Sequence, residues 1–268
     1  MAPPAPIGVF DSGFGGLSVL RAIRTTLPGE DLIYCADHAW MPYGERDGAV
    51  VRERSRQISD ALAGAGARAL VIACNTATAA AADSLRAAFD LPVIGMEPAV
   101  KPAAAATNSG IVGVLGTGGT LVSSRFSGLL ERYGAGLEVI TRPAPELVTA
   151  VEHDDPAIRQ GLVAAAVEPL LAKGADVIVL GCTHFPFLRA EIEAVAGANV
   201  AIIDTGAAVA RELERRLGSA GPRAPGDRTG RERFWTTGDA EALAPTLRRL
   251  WGSGRVEAMP AAPSPLAE

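Results

Sequence analysis

Two of the three cysteines stand in matching surroundings. Val71-Ile72-Ala73 runs into Cys74-Asn75-Thr76, and Ile178-Val179-Leu180-Gly181 runs into Cys182-Thr183-His184. Each is a short apolar, β-branched run that stops at a thiol followed by hydrogen-bonding side chains. Each is followed by a stretch with helical spacing, 77–89 in one case and 187–196 in the other. A cysteine at the end of a strand and the start of a helix is favoured as a thiolate, because the N-terminal peptide dipoles stabilise negative charge. Two such thiols in one chain point to a reaction that uses both.

Four chemistries of cysteine bear on this pattern. A Cys-His hydrolase needs one thiol, one imidazole and an oxyanion hole; Cys182 and His184 are spaced to pair in that way, which leaves Cys74 without a role. A zinc site wants C-x-x-C spacing, which is missing here. A redox pair needs its thiols in contact. Inversion of a carbon stereocentre needs a proton removed from one face and another returned to the opposite face, hence two acid–base groups. Two related halves, each with one thiol, supply that arrangement, provided one cysteine is a thiolate and the other a thiol in each turnover. Pyridoxal chemistry needs a Schiff-base lysine. The chain has only Lys101, in a Pro-Ala-rich stretch, and Lys173, before Gly174, and both read as surface residues. Neither a cofactor nor a metal is expected.

The elements that must carry these residues repeat along the chain. Ile7-Gly8-Val9-Phe10 reads as a strand closed by Asp11-Ser12-Gly13-Phe14-Gly15-Gly16, with helical spacing over 17–27. A strand, a glycine-rich turn and a helix present backbone N–H groups to an anion. The turn is not a dinucleotide fingerprint, since Ser18 stands where the third glycine of G-x-G-x-x-G belongs. The same features return at Val114-Leu115-Gly116-Thr117-Gly118, ahead of a helix over 121–133. Between the two copies lie a strand over 32–36, a loop over 37–44 carrying His38, Trp40, Pro42, Tyr43 and Gly44, a helix over 52–63 with its polar face in water, the strand that delivers Cys74, and a short strand over 91–96. The second half continues with a strand over 137–141, a turn or short helix over 145–151, the acidic segment Glu152-His153-Asp154-Asp155, a helix over 156–172, the strand that delivers Cys182, and a strand over 200–204. The offsets are about 105 residues from Val9 to Val114 and about 108 from Cys74 to Cys182, as a duplication requires. The fold class is therefore α/β, with two pseudo-symmetric parallel-sheet domains. All the motifs fall at the carboxyl ends of strands, where such sheets bind ligands. A helix over 207–217, a Gly-, Pro- and Arg-rich loop over 219–232, a strand over 234–236 and a helix over 241–251 are expected to return to the first half.

Composition bounds the rest. The chain has 268 residues, 48% hydrophobic and 21% charged, which suits one or two domains with a sizeable core. A net charge of −5 argues against a general nucleic-acid binder. No apolar run reaches the roughly 18 residues of a membrane span, and no signal peptide is read at the amino terminus, so a cytoplasmic location is expected. Cys35 reads as a small buried residue, and His38 and His153 as loop or surface residues.

Asp11-Ser12-Gly13-Phe14-Gly15-Gly16, Pro42-Tyr43-Gly44, Cys74-Asn75-Thr76 and Gly181-Cys182-Thr183-His184-Phe185-Pro186 together resemble the glutamate racemase family, in the family's order, from about Ile7 to about Gly238. The resemblance implies cofactor-independent racemisation of glutamate, supplying D-glutamate for bacterial peptidoglycan, by two α/β domains with the active site between them, commonly as a homodimer. Position by position, it implies that Cys74 acts on D-glutamate and Cys182 on L-glutamate, with Asp11 assisting near Cys74 and His184 with Glu152 near Cys182. It further implies substrate binding by Asp11, Ser12, Tyr43, Gly44, Asn75, Thr76, Thr183 and His184, with Thr117 and Thr120 holding a carboxylate. Two features depart from the family pattern: the segment around Glu152 is more acidic, and Arg125-Phe126 stands where a tyrosine is commoner. The expected domains are 1–97 with 207–258, and 98–206, followed by a disordered tail over 259–268. Three other readings stay open: an aspartate racemase of the same superfamily, a Cys-His hydrolase, and a non-catalytic binding protein.

Overall fold

The computed structural model describes residues 5–154, 156–218, 224 and 228–260. Asp155, most of the expected loop over 219–232, and the tail from 261 onward lie outside the described residues. The chain forms two compact units, Met1–Met96 with Gly206–Glu268, and Glu97–Thr205.

The first unit opens with β1 (Ile7–Asp11), α1 (Leu17–Thr26), β2 (Leu32–Ala36), α2 (Gly48–Gly64), β3 (Ala69–Ile72), α3 (Asn75–Ala88) and β4 (Val93–Ile94). The second contains α4 (Val100–Ala106), β5 (Ile111–Gly116), α5 (Gly118–Leu121), α6 (Ser124–Tyr133), β6 (Glu138–Pro143), α7 (Pro145–His153), α8 (Pro156–Leu171), β7 (Val177–Gly181), α9 (Arg189–Ala196) and β8 (Ala201–Ile203). The chain then returns to the first unit with α10 (Gly206–Leu217), β9 (Glu232–Thr236), α11 (Ala240–Trp251) and β10 (Val256–Ala258).

Among the described residues every strand pairing is parallel. The first sheet has the order β10-β9-β2-β1-β3-β4 and the second the order β6-β5-β7-β8. The inner order β2-β1-β3-β4 is thus repeated as β6-β5-β7-β8, and the internal duplication expected from the residue offsets reappears as a repeated strand order. The returning segment pairs β9 with β2, Cys35 opposite Trp235.

The strands that carry the site are buried throughout: β1, β2, β3 and β7 have no exposed residue. Parallel strands covered on both faces read as unbroken apolar runs rather than alternating ones, which is how these four appear in the sequence. The edge strand β6 is only partly covered. Helix α10 buries Val209, Ala210, Leu213 and Leu217, one face at four-residue spacing, and α11 starts with Asp239, whose carboxylate accepts the N–H groups of Glu241 and Ala242 at 2.9 and 3.2 Å.

Several elements differ from the sequence reading. The loop over 37–44 contains two single 3-10 turns, His38–Trp40 and Tyr43–Glu45. A 3-10 turn, Phe185–Leu188, precedes α9. Helix α4 is unforeseen because an alanine run has no apolar period; Pro102 falls in its first turn, where no intrahelical partner for its nitrogen is needed. Strand β10 is also new, a three-residue edge pairing with β9 alone. Met259 begins the segment expected to be disordered, yet its N–H donates to the Thr236 carbonyl at 2.8 Å.

Two glycines give opposite expectations. A Cβ on Gly181, next to Cys182, would lie 2.7 Å from the Leu115 carbonyl oxygen of the neighbouring strand, whereas one on Gly161, in the exposed part of α8, would meet nothing within 4 Å. Gly181→Ala should destabilise the protein by about 1–3 kcal/mol and Gly161→Ala should stabilise it by about 0.5–1 kcal/mol. Urea unfolding of the two variants measures both signs.

Candidate functional site

Asp11 is fully buried at the carboxyl end of β1. Its Oδ1 accepts the Ser12 N–H at 2.6 Å and its Oδ2 accepts the Gly16 N–H at 2.6 Å, so one carboxylate ties both ends of the glycine turn together. The Tyr34 hydroxyl donates to the Gly13 carbonyl at 2.6 Å. A Cβ on Gly16 would come within 2.8 Å of that hydroxyl, 2.9 Å of Asp11 Cβ and 3.0 Å of Ala73 Cβ. Only glycine lets the turn lie against the segment that delivers Cys74.

Cys74 follows β3 and caps α3. Its backbone is extended and its Sγ accepts the Ala77 N–H at 3.5 Å, the position a serine or aspartate occupies in an ordinary N-cap. The Ala77 N–H and the positive dipole end of α3 favour a thiolate there. Asn75 and Thr76, in the first turn, are buried. Among the described residues, neither atom of the Asn75 amide has a hydrogen-bond partner. An unpaired buried amide costs about 1–3 kcal/mol, a cost that a polar ligand would relieve. Tyr43 is buried in the same cluster as Cys74, and Gly44 beside it is half-buried. Burial, the Asp37 charge and the hydrogen bond to Asp37 push the Tyr43 phenol far above its ordinary pKa, with Cys74 adding to the rise, so Tyr43 stays neutral.

In the second unit Cys182 follows β7 and is 7% exposed. Its Sγ lies 3.7 Å from His184 Nδ1, and His184 Nε2 lies 2.7 Å from Glu152 Oε1, with all three side chains buried. Burial works against a charged imidazole here, but the hydrogen bonds and charges of Cys182 and Glu152 outweigh it and raise the His184 pKa well above its ordinary value. A protonated His184 is a fixed positive charge against the Cys182 sulfur. Thr183 is buried, and the Thr117 and Thr120 hydroxyls lie 3.0 Å apart at the end of β5 and the start of α5.

The structure thus groups Asp11, Ser12, Tyr43, Gly44, Cys74, Asn75 and Thr76 in the first unit, and Thr117, Thr120, Glu152, Cys182, Thr183 and His184 in the second. A family model described as Asp/Glu/hydantoin racemase matches residues 7–213.

The chain belongs to the Asp/Glu/hydantoin racemase family.

As a racemase it is an isomerase. It is 53% identical over 262 residues to a glutamate racemase from Pseudomonas entomophila, a match covering 96% of this chain and 98% of that protein. Among solved structures, it is similar to a glutamate racemase isoform from Bacillus anthracis, with TM-score 0.85, 34% identity, and 97% and 98% of the two chains covered. It is also similar to Escherichia coli glutamate racemase in complex with L-glutamate and the activator UDP-MurNAc-Ala, with TM-score 0.84, 34% identity, and 96% and 100% covered.

The two departures from the family pattern have structural accounts in this racemase. Arg125 pairs with Glu97 at 2.8 Å while Phe126 is buried. In the acidic segment Glu152 turns inward to His184, His153 is exposed, and Asp154 pairs with Arg159, which also reaches Glu191 at 3.0 Å. Cys35 lies inside β2, where burial, with the Asp37 charge adding, pushes its thiol far up. His38 contacts Thr236 Oγ1 at 3.2 Å and packs edge-on against Phe14. The sequence reading did not single out Asp37, whose carboxylate accepts the Tyr43 hydroxyl at 2.6 Å, or Arg54, which pairs with Asp37 at 2.8 Å. Asp37 directly follows β2, at the same carboxyl edge as Asp11, and that position is the clue that could have found it.

The raised His184 pKa fixes a sign. The folded state holds this proton more tightly than the unfolded chain, so the stability it brings is complete below the ordinary value of 6.5 and is lost as pH rises through the folded pKa. Glu152→Gln should bring the midpoint of the His184 ring, followed by NMR titration, down towards 6.5 and shrink the loss of stability on the alkaline side. An unmoved midpoint would mean that Glu152 does not hold the ring charged.

Proposed function

We propose that the chain interconverts L- and D-glutamate without a cofactor, with Cys74 and Cys182 as the two acid–base groups. The observation that carries this reading is the repeated placement of a thiol where a buried parallel strand meets a helix or turn, once in each unit, with Cys182 backed by His184 and Glu152. The high identity to glutamate racemases supports glutamate as the substrate.

From L-glutamate, the Cys182 thiolate takes the α-proton and the Cys74 thiol gives its own proton to the opposite face, leaving D-glutamate, a Cys182 thiol and a Cys74 thiolate. The reverse direction exchanges the roles. A protonated His184 lowers the cost of the Cys182 thiolate, and Glu152 orients and charges the ring. On the other side the Ala77 N–H and the start of α3 stabilise the Cys74 thiolate, while Asp11 assists nearby and holds the glycine turn in shape. Glutamate brings two carboxylates and one ammonium. Backbone N–H groups of the turn, with Ser12, Asn75, Thr76 and Thr183, suit the carboxylates, and Thr117 with Thr120 offers a further pair of hydroxyls. The product would supply D-glutamate for peptidoglycan, made by a cytoplasmic homodimer. Among the described residues no helix is long and apolar enough to cross a membrane.

The direct test is chiral chromatography of L-glutamate, D-glutamate and L-aspartate incubated with the protein, free of pyridoxal phosphate and metal. Glutamate should interconvert and aspartate should not. Cys74→Ser and Cys182→Ser should each cut racemisation by about 10²–10⁴ or more, with unchanged circular dichroism. Full activity in either variant would end the two-thiol reading.

A further inference from the structure

One carboxylate outside the thiol groups gathers donors from three elements. Asp37 is fully buried, and its N–H donates to the Asp11 carbonyl at 2.9 Å. Its Oδ1 accepts from Arg54 Nη2 at 2.8 Å and from the Thr237 hydroxyl at 2.7 Å. Its Oδ2 accepts from Arg54 Nε at 3.0 Å and from the Tyr43 hydroxyl at 2.6 Å. The Thr237 hydroxyl in turn accepts the Ala39 N–H at 3.2 Å. Arg54 itself is held: its guanidinium lies 5.2 Å from the centre of the Trp40 ring and donates to Gln57. The loop that carries Tyr43 is therefore pinned to α2 and to the end of β9 through a single side chain.

We infer that Arg54 is a positioning residue for the proposed reaction: it holds Asp37 so that Asp37 accepts the hydrogen bond of the Tyr43 hydroxyl, and Tyr43 is left to meet the substrate as a hydrogen-bond acceptor. A phenol has one proton and two lone pairs. With that proton committed to Asp37, the oxygen can only accept from any other group, and the ammonium of an amino acid is the matching donor. Arg54 is suited to this because its planar fork reaches both oxygens of a buried carboxylate at once. Without it Asp37 would lose the fork that holds both of its oxygens, and its carboxylate could turn away from the Tyr43 hydroxyl. The inference rests on the proposed function and adds a residue that acts through Asp37 and Tyr43.

The test is a double-mutant cycle on KM and kcat for L-glutamate with Arg54→Met, Tyr43→Phe and their combination, with Arg54→Lys alongside and thermal unfolding recorded for each. Arg54→Met should raise KM about tenfold while kcat changes less, and should add little once Tyr43 is Phe. Arg54→Lys, which keeps the charge but loses the fork, should recover part of the loss. If Arg54→Met does not fold, Arg54→Lys takes its place in the cycle. An additive cycle, an unchanged KM, or a loss that follows thermal stability alone would overturn the inference. If the unmodified chain turns over neither enantiomer, the proposed function fails and this inference with it; an active chain with an additive cycle removes only the role of Arg54.

Discussion

Placing a thiol where a buried parallel strand ends constrains the rest of the molecule. The strand must be covered on both faces, which calls for helices and for the apolar runs seen in β1, β3 and β7. The turn beside Cys74 must come close without side-chain bulk, which selects Gly16, and the residue before Cys182 must pass close to a neighbouring carbonyl, which selects Gly181. Cys35 shows what the same residue becomes without this placement. It lies within β2 between β1 and β9, and burial, with the Asp37 charge adding, drives its thiol towards the neutral form.

The two units share strand order but not electrostatics. Cys74 meets a backbone N–H at the start of α3 and shares its buried cluster with Tyr43. Cys182 meets an imidazole whose charge is held by Glu152. In the proposed reaction each thiol serves in both ionisation states, and the two meet different neighbours. The repeated strand order places one thiol in each unit, and the residues around the two thiols differ.

Much of this was legible in the sequence for a physical reason. Residues that end apolar runs, such as Asp11, Cys74 and Cys182, are marked by the abrupt change from buried strand to polar turn. His184 is marked by its closeness to Cys182, and the repeated strand order by the constant offset between the two halves. Other features leave no such mark. Glu152 sits in an acidic segment in which only the fold separates the side chain turned inward from the exposed one beside it. Arg54 was expected on a polar helix face in water, because a guanidinium on a buried carboxylate and one in solvent look the same in the sequence; its side chain is 14% exposed and turned onto Asp37. Helix α4 was hidden by an alanine run without period, and β10 by its three-residue length.

In the proposed reaction one thiol takes the α-proton and the other returns one to the opposite face. Isotope exchange in deuterated water tests it most directly. With L-glutamate as substrate, followed at early times by NMR and chiral separation, the D-glutamate formed should carry deuterium at the α-carbon while the remaining L-glutamate keeps its hydrogen, and the mirror result should hold from D-glutamate. Deuterium entering the unreacted enantiomer as fast as the product would contradict the account, since it would mean that one exchangeable base serves both faces.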